Sequence, residues 1–331
     1  MQRPRRNRRT EAIRRMIRET TLTSGDFILP MFFHEDSEDV AITSMPGVTR
    51  WSVAGLVAAA GEAAALGIPA VVLFPKIEET LKTPDAAECA NDDGLVPRAI
   101  RAIKQTHPQL CVITDVALDP YNSDGHDGIV APGPDGLPDV INDATVEILC
   151  RQALCHARAG ADIVAPSDMM DGRVAAIRAA LDGAGYTHVS ILSYAAKYAS
   201  AFYGPFRGAL DSAPKAGDKN SYQMDPANAR EAERECLLDA AEGADMLMIK
   251  PAGLYLDIIA RARAATHLPI AAYQVSGEYL MIQSAAASGW IDERQCALES
   301  LTAIKRAGAD MILTYYATKA AKWLREDGGI R

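Results

Sequence analysis

One pattern recurs from end to end of the chain: an Ala-rich stretch, a small residue that is usually Gly, and an apolar run entered at once. It reads AALGIPAVVLFP at 64–75, ARAGADIVAPS at 157–167, AAEGADMLMIKP at 240–251 and KRAGADMILTYY at 305–316. The Gly supplies the left-handed cap that stops a helix. The apolar run that follows has the continuous hydrophobicity of a strand buried on both faces, as parallel sheets require. Further strands are predicted at 27–33 (FILPMFF), 110–117 (LCVITDVA), 188–194 (HVSILSY) and 268–275 (LPIAAYQV). That makes eight, separated by helical stretches at about 52–66, 95–107, 143–159, 172–184, 226–242, 254–265, 279–307 and 316–325. Eight alternating strand–helix units predict a (β/α)8 TIM barrel over residues 25–331. A doubly wound open sheet is the alternative, but no GxGxxG follows the first strand.

Two segments exceed ordinary loop length, 118–142 and 195–225. Both follow strand C-termini, the face on which barrel enzymes build their sites. Between them they carry Tyr, Phe, Arg and His, and both read as lids, with 195–225 as the active-site lid. Polar residues converge at the same face. They are Asp115 and Asp119 from strand 3, Ser167 and Asp168 from strand 4, and Lys197 after strand 5. Strand 6 adds Lys250, strand 7 Tyr273 and Ser276, and strand 8 Tyr315.

A lysine ending a buried strand is poised for imine chemistry, although a lone one can equally snorkel to solvent or pair with a carboxylate. The second lysine shifts that balance. Neighbouring strands lie about 4.8 Å apart, so two ammonium groups would disfavour each other's protonation, and burial adds to the effect. A lysine pair implies mutual activation or two carbonyl substrates held covalently.

Five blocks then carry a specific resemblance: DVALDPYNSDGHDG (115–128), VAPSDMMDGRV (164–174), SYAAKYASAFYGPFR (193–207), GADMLMIKPAGLY (243–255) and YQVSGEY (273–279). In these the chain resembles the porphobilinogen synthase (5-aminolevulinate dehydratase) family, hydro-lyases of tetrapyrrole synthesis that condense two 5-aminolevulinate molecules. The resemblance implies that Lys250 binds the propionate-side substrate and Lys197 the acetate-side one. Arg207, Lys219 and Gln223 match positions that grip the acetate-side carboxylate, with Tyr203 and Phe206 as enclosing wall. Ser276 and Tyr315 match the pair that holds the propionate-side carboxylate. Tyr273, Asp115, Ser167 and Asp168 line the pocket. Relatives often have Arg where Lys219 stands, which keeps the charge but not the bidentate geometry.

No organic cofactor is implied. Zinc-dependent relatives carry three cysteines where this chain has Ala117, Asp119 and Asp127, which disfavours zinc. The remaining oxygens leave Mg²⁺, a monovalent cation or no metal open at Asp119 and Asp127. Glu235 matches a remote glutamate that binds an allosteric Mg²⁺ in some relatives; as a plain helix-face carboxylate it reads equally well.

Charge adds one further feature. The chain of 331 residues has 49% hydrophobic residues and net charge −9. Residues 1–18 alone carry eight Arg against Glu11, a charge of +7 that leaves −16 for the rest. Nucleic-acid contact, a transit peptide and a solvated tail compete with subunit docking for this segment. It has no aromatic residue to stack on bases, and the acidic body would repel phosphate. Ile13, Met16 and Ile17 fall on one helical face. An arm over residues 1–24 that docks on a neighbouring acidic barrel is therefore expected. The family resemblance implies a homo-octamer, or a smaller hexamer. Six cysteines without framework spacing, and no secretory or membrane-spanning run, lead to the expectation of a cytoplasmic enzyme with no nucleic-acid or membrane partner. An aldolase-type lyase and an RNA-binding scaffold are the competing functions, and intact lysines with intact carboxylate grips count against both.

Overall fold

The computed structural model describes residues 1–331 apart from 134, 135, 137, 211–214, 216 and 327–331, and apart from the side chains of 207, 208 and 210. Eight parallel strands form the barrel: β1 (Phe27–Phe33), β2 (Ala70–Pro75), β3 (Cys111–Val116), β4 (Ile163–Pro166), β5 (Ser190–Lys197), β6 (Met246–Lys250), β7 (Ile270–Gln274) and β8 (Met311–Thr314). Each pairs with its neighbour in sequence, and β8 returns to β1 through Phe27↔Ile312 and Ile28↔Leu313. Closure leaves the barrel no free edge.

The recurring GAD triplet has a structural reason. Asp162, Asp245 and Asp310 each stand at a strand entry, and each side chain accepts a hydrogen bond from the backbone N–H of a neighbouring strand. The donors are Val112 at 2.8 Å, Ile191 at 2.7 Å and Ile270 at 2.8 Å. Three carboxylates thus pin the bottom rim of the barrel. The Gly before them closes the preceding helix: Gly160 has φ +102°, open only to a residue without Cβ at low cost.

The outer helices follow the predicted order: α1 (Glu11–Met16), α2 (Val53–Ala65), α3 (Leu95–Thr106), α4 (Asn142–Ala159), α5 (Arg173–Gly183), α6 (Gly204–Leu210), α7 (Arg230–Ala241), α8 (Leu256–Ala265), α9 (Ser276–Ala287), α10 (Glu293–Ala307) and α11 (Ala317–Glu326). The single helix expected over 279–307 is two. Gly289 takes φ +74°, and the Asp292 side chain caps a new start by accepting from the Gln295 N–H at 2.7 Å. The lid segment also contains a helix, α6, that its polar composition hid. Among the described residues no helix is long and apolar enough to cross a membrane.

Candidate active site

Pairing of β5 with β6 places Lys197 and Lys250 directly opposite each other. Strand 5 was expected to end at 194, with Lys197 in the loop beyond; instead it runs on to Lys197. Segment 222–224 explains the extension: the Met224 N–H donates to the Lys197 carbonyl at 3.0 Å, and the Ala199 N–H to the Met224 carbonyl at 2.8 Å. The strand also carries a bulge. From Leu247 to Ile249 β6 advances two residues, while β5 advances from Ser193 to Ala196. The extra residue resets the in–out alternation. Ser193 faces outward, its hydroxyl donating to Asp239 of α7 at 2.6 Å. Tyr194 and Lys197, three positions apart, both face the interior.

The two lysines are buried but differ in their surroundings. The Lys197 ammonium donates to Asp127 Oδ1 at 3.3 Å and to the Ser167 carbonyl. Lys250 has no ion pair among the described residues. Its Nζ lies 4.8–5.2 Å from the ring centres of Tyr194, Tyr203, Phe206 and Tyr273. Such rings favour a cation by about 0.5–2 kcal/mol each at most. Burial outweighs them, and the charge of Lys197 works in the same direction. Together they bring the Lys250 amine from 10.5 to about 7, against the pull of Asp115, Asp119 and Asp127. A larger share of it than of an ordinary lysine is the free nucleophile at neutral pH.

Asp127 sits at the centre of the charge network. Its Oδ2 lies 2.6 Å from the Lys219 ammonium and accepts from the Tyr222 hydroxyl at 3.0 Å. Burial would raise its carboxyl; Lys197 and Lys219 overturn that and hold it well below the usual range. Lys219 also reaches Asp119 at 3.4 Å, and its two carboxylates raise its own pKa despite burial. Asp115 behaves oppositely. Deep burial of its carboxyl, with Asp119 close by, raises it to about 7, against Ser167, Lys197 and Lys250. An acid and an amine that both titrate near neutrality therefore share one pocket.

Asp168 is held by its own loop and by Arg173. Its Oδ1 accepts from the Met170 N–H at 2.7 Å, and Oδ2 stands 3.6 Å from Arg173. Arg173 in turn bonds Asp239 at 3.3 Å and donates to the carbonyl of Tyr194 at 3.2 Å. This outer network braces the bulge.

The mouth is aromatic. Phe206 of α6 packs against Phe32 at 5.4 Å and Phe74 at 5.3 Å, and Tyr315 stacks on Phe32 at 5.9 Å. The Tyr273 and Tyr315 hydroxyls are 2.7 Å apart. Ser276 Oγ accepts from the Phe206 N–H at 3.0 Å, and Tyr203 donates to the Lys250 carbonyl at 3.3 Å, so the lid is tied to strand 6 and to the start of α9. Gln223 is buried with its Oε1 unbonded. The Arg207 side chain lies outside the described residues. Glu235, half-buried on α7, faces a cavity of about 400 Å³ with Asp171, Asn228 and Glu231, whose wall also includes Tyr222 and Gln223. Sequence reasoning missed Phe32, Phe74, Tyr194, Tyr222 and Arg173. Inward parity on strands 1 and 2 signals the two phenylalanines; nothing local signals the rest.

A closed parallel barrel with paired lysines at its C-terminal mouth defines a (β/α)8-barrel enzyme. The family model described as Delta-aminolevulinic acid dehydratase matches residues 1–323. The chloroplastic delta-aminolevulinic acid dehydratase of Physcomitrium patens is 58% identical over 324 residues, covering 97% of this chain and 74% of that protein. That of Glycine max is 56% identical over 324 residues, covering 97% and 77%. The Toxoplasma gondii ME49 delta-aminolevulinic acid dehydratase (porphobilinogen synthase), solved with the product porphobilinogen, superposes with TM-score 0.96 at 53% identity, covering 99% of this chain and 92% of that one. The chain belongs to the delta-aminolevulinic acid dehydratase family. It is a hydro-lyase with porphobilinogen synthase function. These relatives correct one expectation: they are named as chloroplastic proteins, which points to a plastid location and not to the cytoplasm.

Proposed function

We propose that the enzyme condenses two molecules of 5-aminolevulinate through Schiff bases, one on Lys250 and one on Lys197. The observation that carries this reading is the cross-strand lysine pair, with the Lys250 amine held near neutrality inside an aromatic cage. An imine at each lysine turns a keto carbon into an electron sink, so that C–C bonding, C–N closure and water loss proceed without an organic cofactor. Ser276 and Tyr315 would hold the carboxylate of the Lys250-bound molecule. Lys219, Arg207 and Gln223 would hold that of the Lys197-bound one, with Tyr203 and Phe206 closing over both. Asp115, titrating near 7, is suited to pass protons between the two. Borohydride reduction with 5-aminolevulinate, followed by peptide mass spectrometry, tests this. An adduct is expected on Lys250, and its rate of formation should climb from pH 6 to 8 and then level off, because the amine is protonated below about 7. Absence of any lysine adduct would overturn the reading.

Asp119 and Asp127 do not fit a divalent cation. Lys219 already bridges them and Lys197 sits on Asp127, so a cation there would meet two ammonium groups. Glu235 fits one better: burial, then Asp239, raises its carboxyl, and Asp171 and Glu231 add to the crowding that a hard cation would relieve. With Asp171 it would hold Mg²⁺ in a supporting role.

We also read residues 1–24 as an arm that docks on another copy in a homo-oligomer, an octamer or a hexamer. Its helix α1 is capped by Thr10, and Met16 and Ile17 are 79% and 46% exposed, an apolar face without cover in the single chain. Deleting residues 1–18 should lower the mass seen by analytical ultracentrifugation; an unchanged assembly would refute the docking role.

A further inference from the structure

The barrel interior holds one polar group that the reading above leaves idle. Tyr194 is fully buried, and its hydroxyl has no hydrogen-bond partner among the described residues. Leaving a buried donor unpaired costs about 1–3 kcal/mol, so such a group in a reaction cavity calls for an explanation. Its position is built, not incidental. The bulge in β5 is what turns Tyr194 to the same side as Lys197, and Arg173, backed by Asp239, holds the Tyr194 carbonyl from outside. The ring stands 5.2 Å from the Lys250 amine. The other tyrosine hydroxyls facing this cavity are engaged, Tyr203 with the Lys250 carbonyl and Tyr273 with Tyr315. Burial, then the proximity of Asp115, Tyr315 and Tyr203, keeps the Tyr194 phenol protonated and able to donate.

We propose that the Tyr194 hydroxyl is a further catalytic residue, donating to the keto oxygen of the substrate that condenses with Lys250. The Lys250 lone pair forms the C–N bond and the C=O π pair moves onto oxygen, where the Tyr194 hydrogen bond receives it. A proton passes from nitrogen to that oxygen, giving the neutral carbinolamine. The C–O bond then breaks with its electron pair on oxygen, and nitrogen closes C=N. The departing hydroxide takes the Tyr194 proton and leaves as water, so that a phenolate faces the new iminium. Loss of the iminium's α-proton to that phenolate yields the enamine and restores the phenol. Charge and atoms balance with no other reagent.

The proposal rests on the Schiff-base reading, and the test separates the two. Tyr194→Phe keeps the ring and removes only the unpaired hydroxyl, so the variant should fold, with a Tm equal to or above that of the parent. Its kcat should fall about 10²–10³-fold, the size of a lost donor at a developing oxyanion, while KM changes by less than about 3-fold. The rate of borohydride-trapped adduct formation on Lys250 should fall by the same factor as kcat. If the parent traps on Lys250 and Tyr194→Phe matches it in trapping rate and kcat, the role of Tyr194 is overturned. If the parent does not trap on Lys250 at all, both the Schiff base there and this role fall together.

Discussion

Lys250→Met should fold with an unchanged or higher Tm and lose turnover by about 10⁴-fold or more. The two halves of that expectation come from the same fact. The Lys250 amine is buried with no carboxylate bonded to it, surrounded by four aromatic rings, and depressed to about 7. A buried polar group in that state is a cost to folding. Methionine nearly conserves the volume and removes the amine, so the core should tolerate it well. Lys197 cannot stand in, because Asp127 and the Ser167 carbonyl hold it in place for the other substrate molecule. Lys250→Ala should be equally inactive but less stable, through the cavity it leaves. Steady-state formation of porphobilinogen and calorimetry on the same samples check both halves. A Lys250→Met enzyme retaining a tenth of the parent activity would remove Lys250 from the chemistry.

The barrel was legible because its signal is periodic. The helix–Gly–strand unit repeats, and the GAD triplets within it carry carboxylates that each bind the preceding strand, so local sequence and global closure agree. Helix ends were less legible where one apolar stretch ran through a cap: the Ala-rich end of α9 and the start of α10 read as one helix until Gly289 and Asp292 parted them. The two lysines were legible as strand-end residues, but their registration was not. It depends on a bulge within SYAAK, and neither the Tyr nor the two Ala of that string marks it. Tyr194 was missed for that reason: simple alternation from Lys197 turns it outward. Asp168 was read from its place at a strand end; its contact with Arg173, the first residue of α5, was not legible there. Location was beyond reach, since reduced cysteines report thiol chemistry and not a particular compartment.

Asp127→Asn should cost about 3–5 kcal/mol of stability, the loss found when one partner of a buried ion pair is removed. The carboxylate is 1% exposed and serves three groups at once: the Lys197 and Lys219 ammoniums and the Tyr222 hydroxyl. An amide of the same shape keeps the packing but leaves two buried cations facing a neutral group. Asp119 supplies only one of them, at 3.4 Å, so Asp119→Asn should cost no more than about 1–2 kcal/mol. The pH dependence has a definite sign. Burial raises the Asp127 carboxyl, but the two lysines hold it below its unfolded value, so its contribution is complete above the unfolded pKa and is lost only as pH falls through the folded one. The gap between the parent and Asp127→Asn should therefore be constant from pH 6 to 8 and close in strong acid. Urea titrations of both proteins across that range check this, with Asp119→Asn as the control. A loss below about 1 kcal/mol at neutral pH would mean that Asp127 does not carry the two lysines.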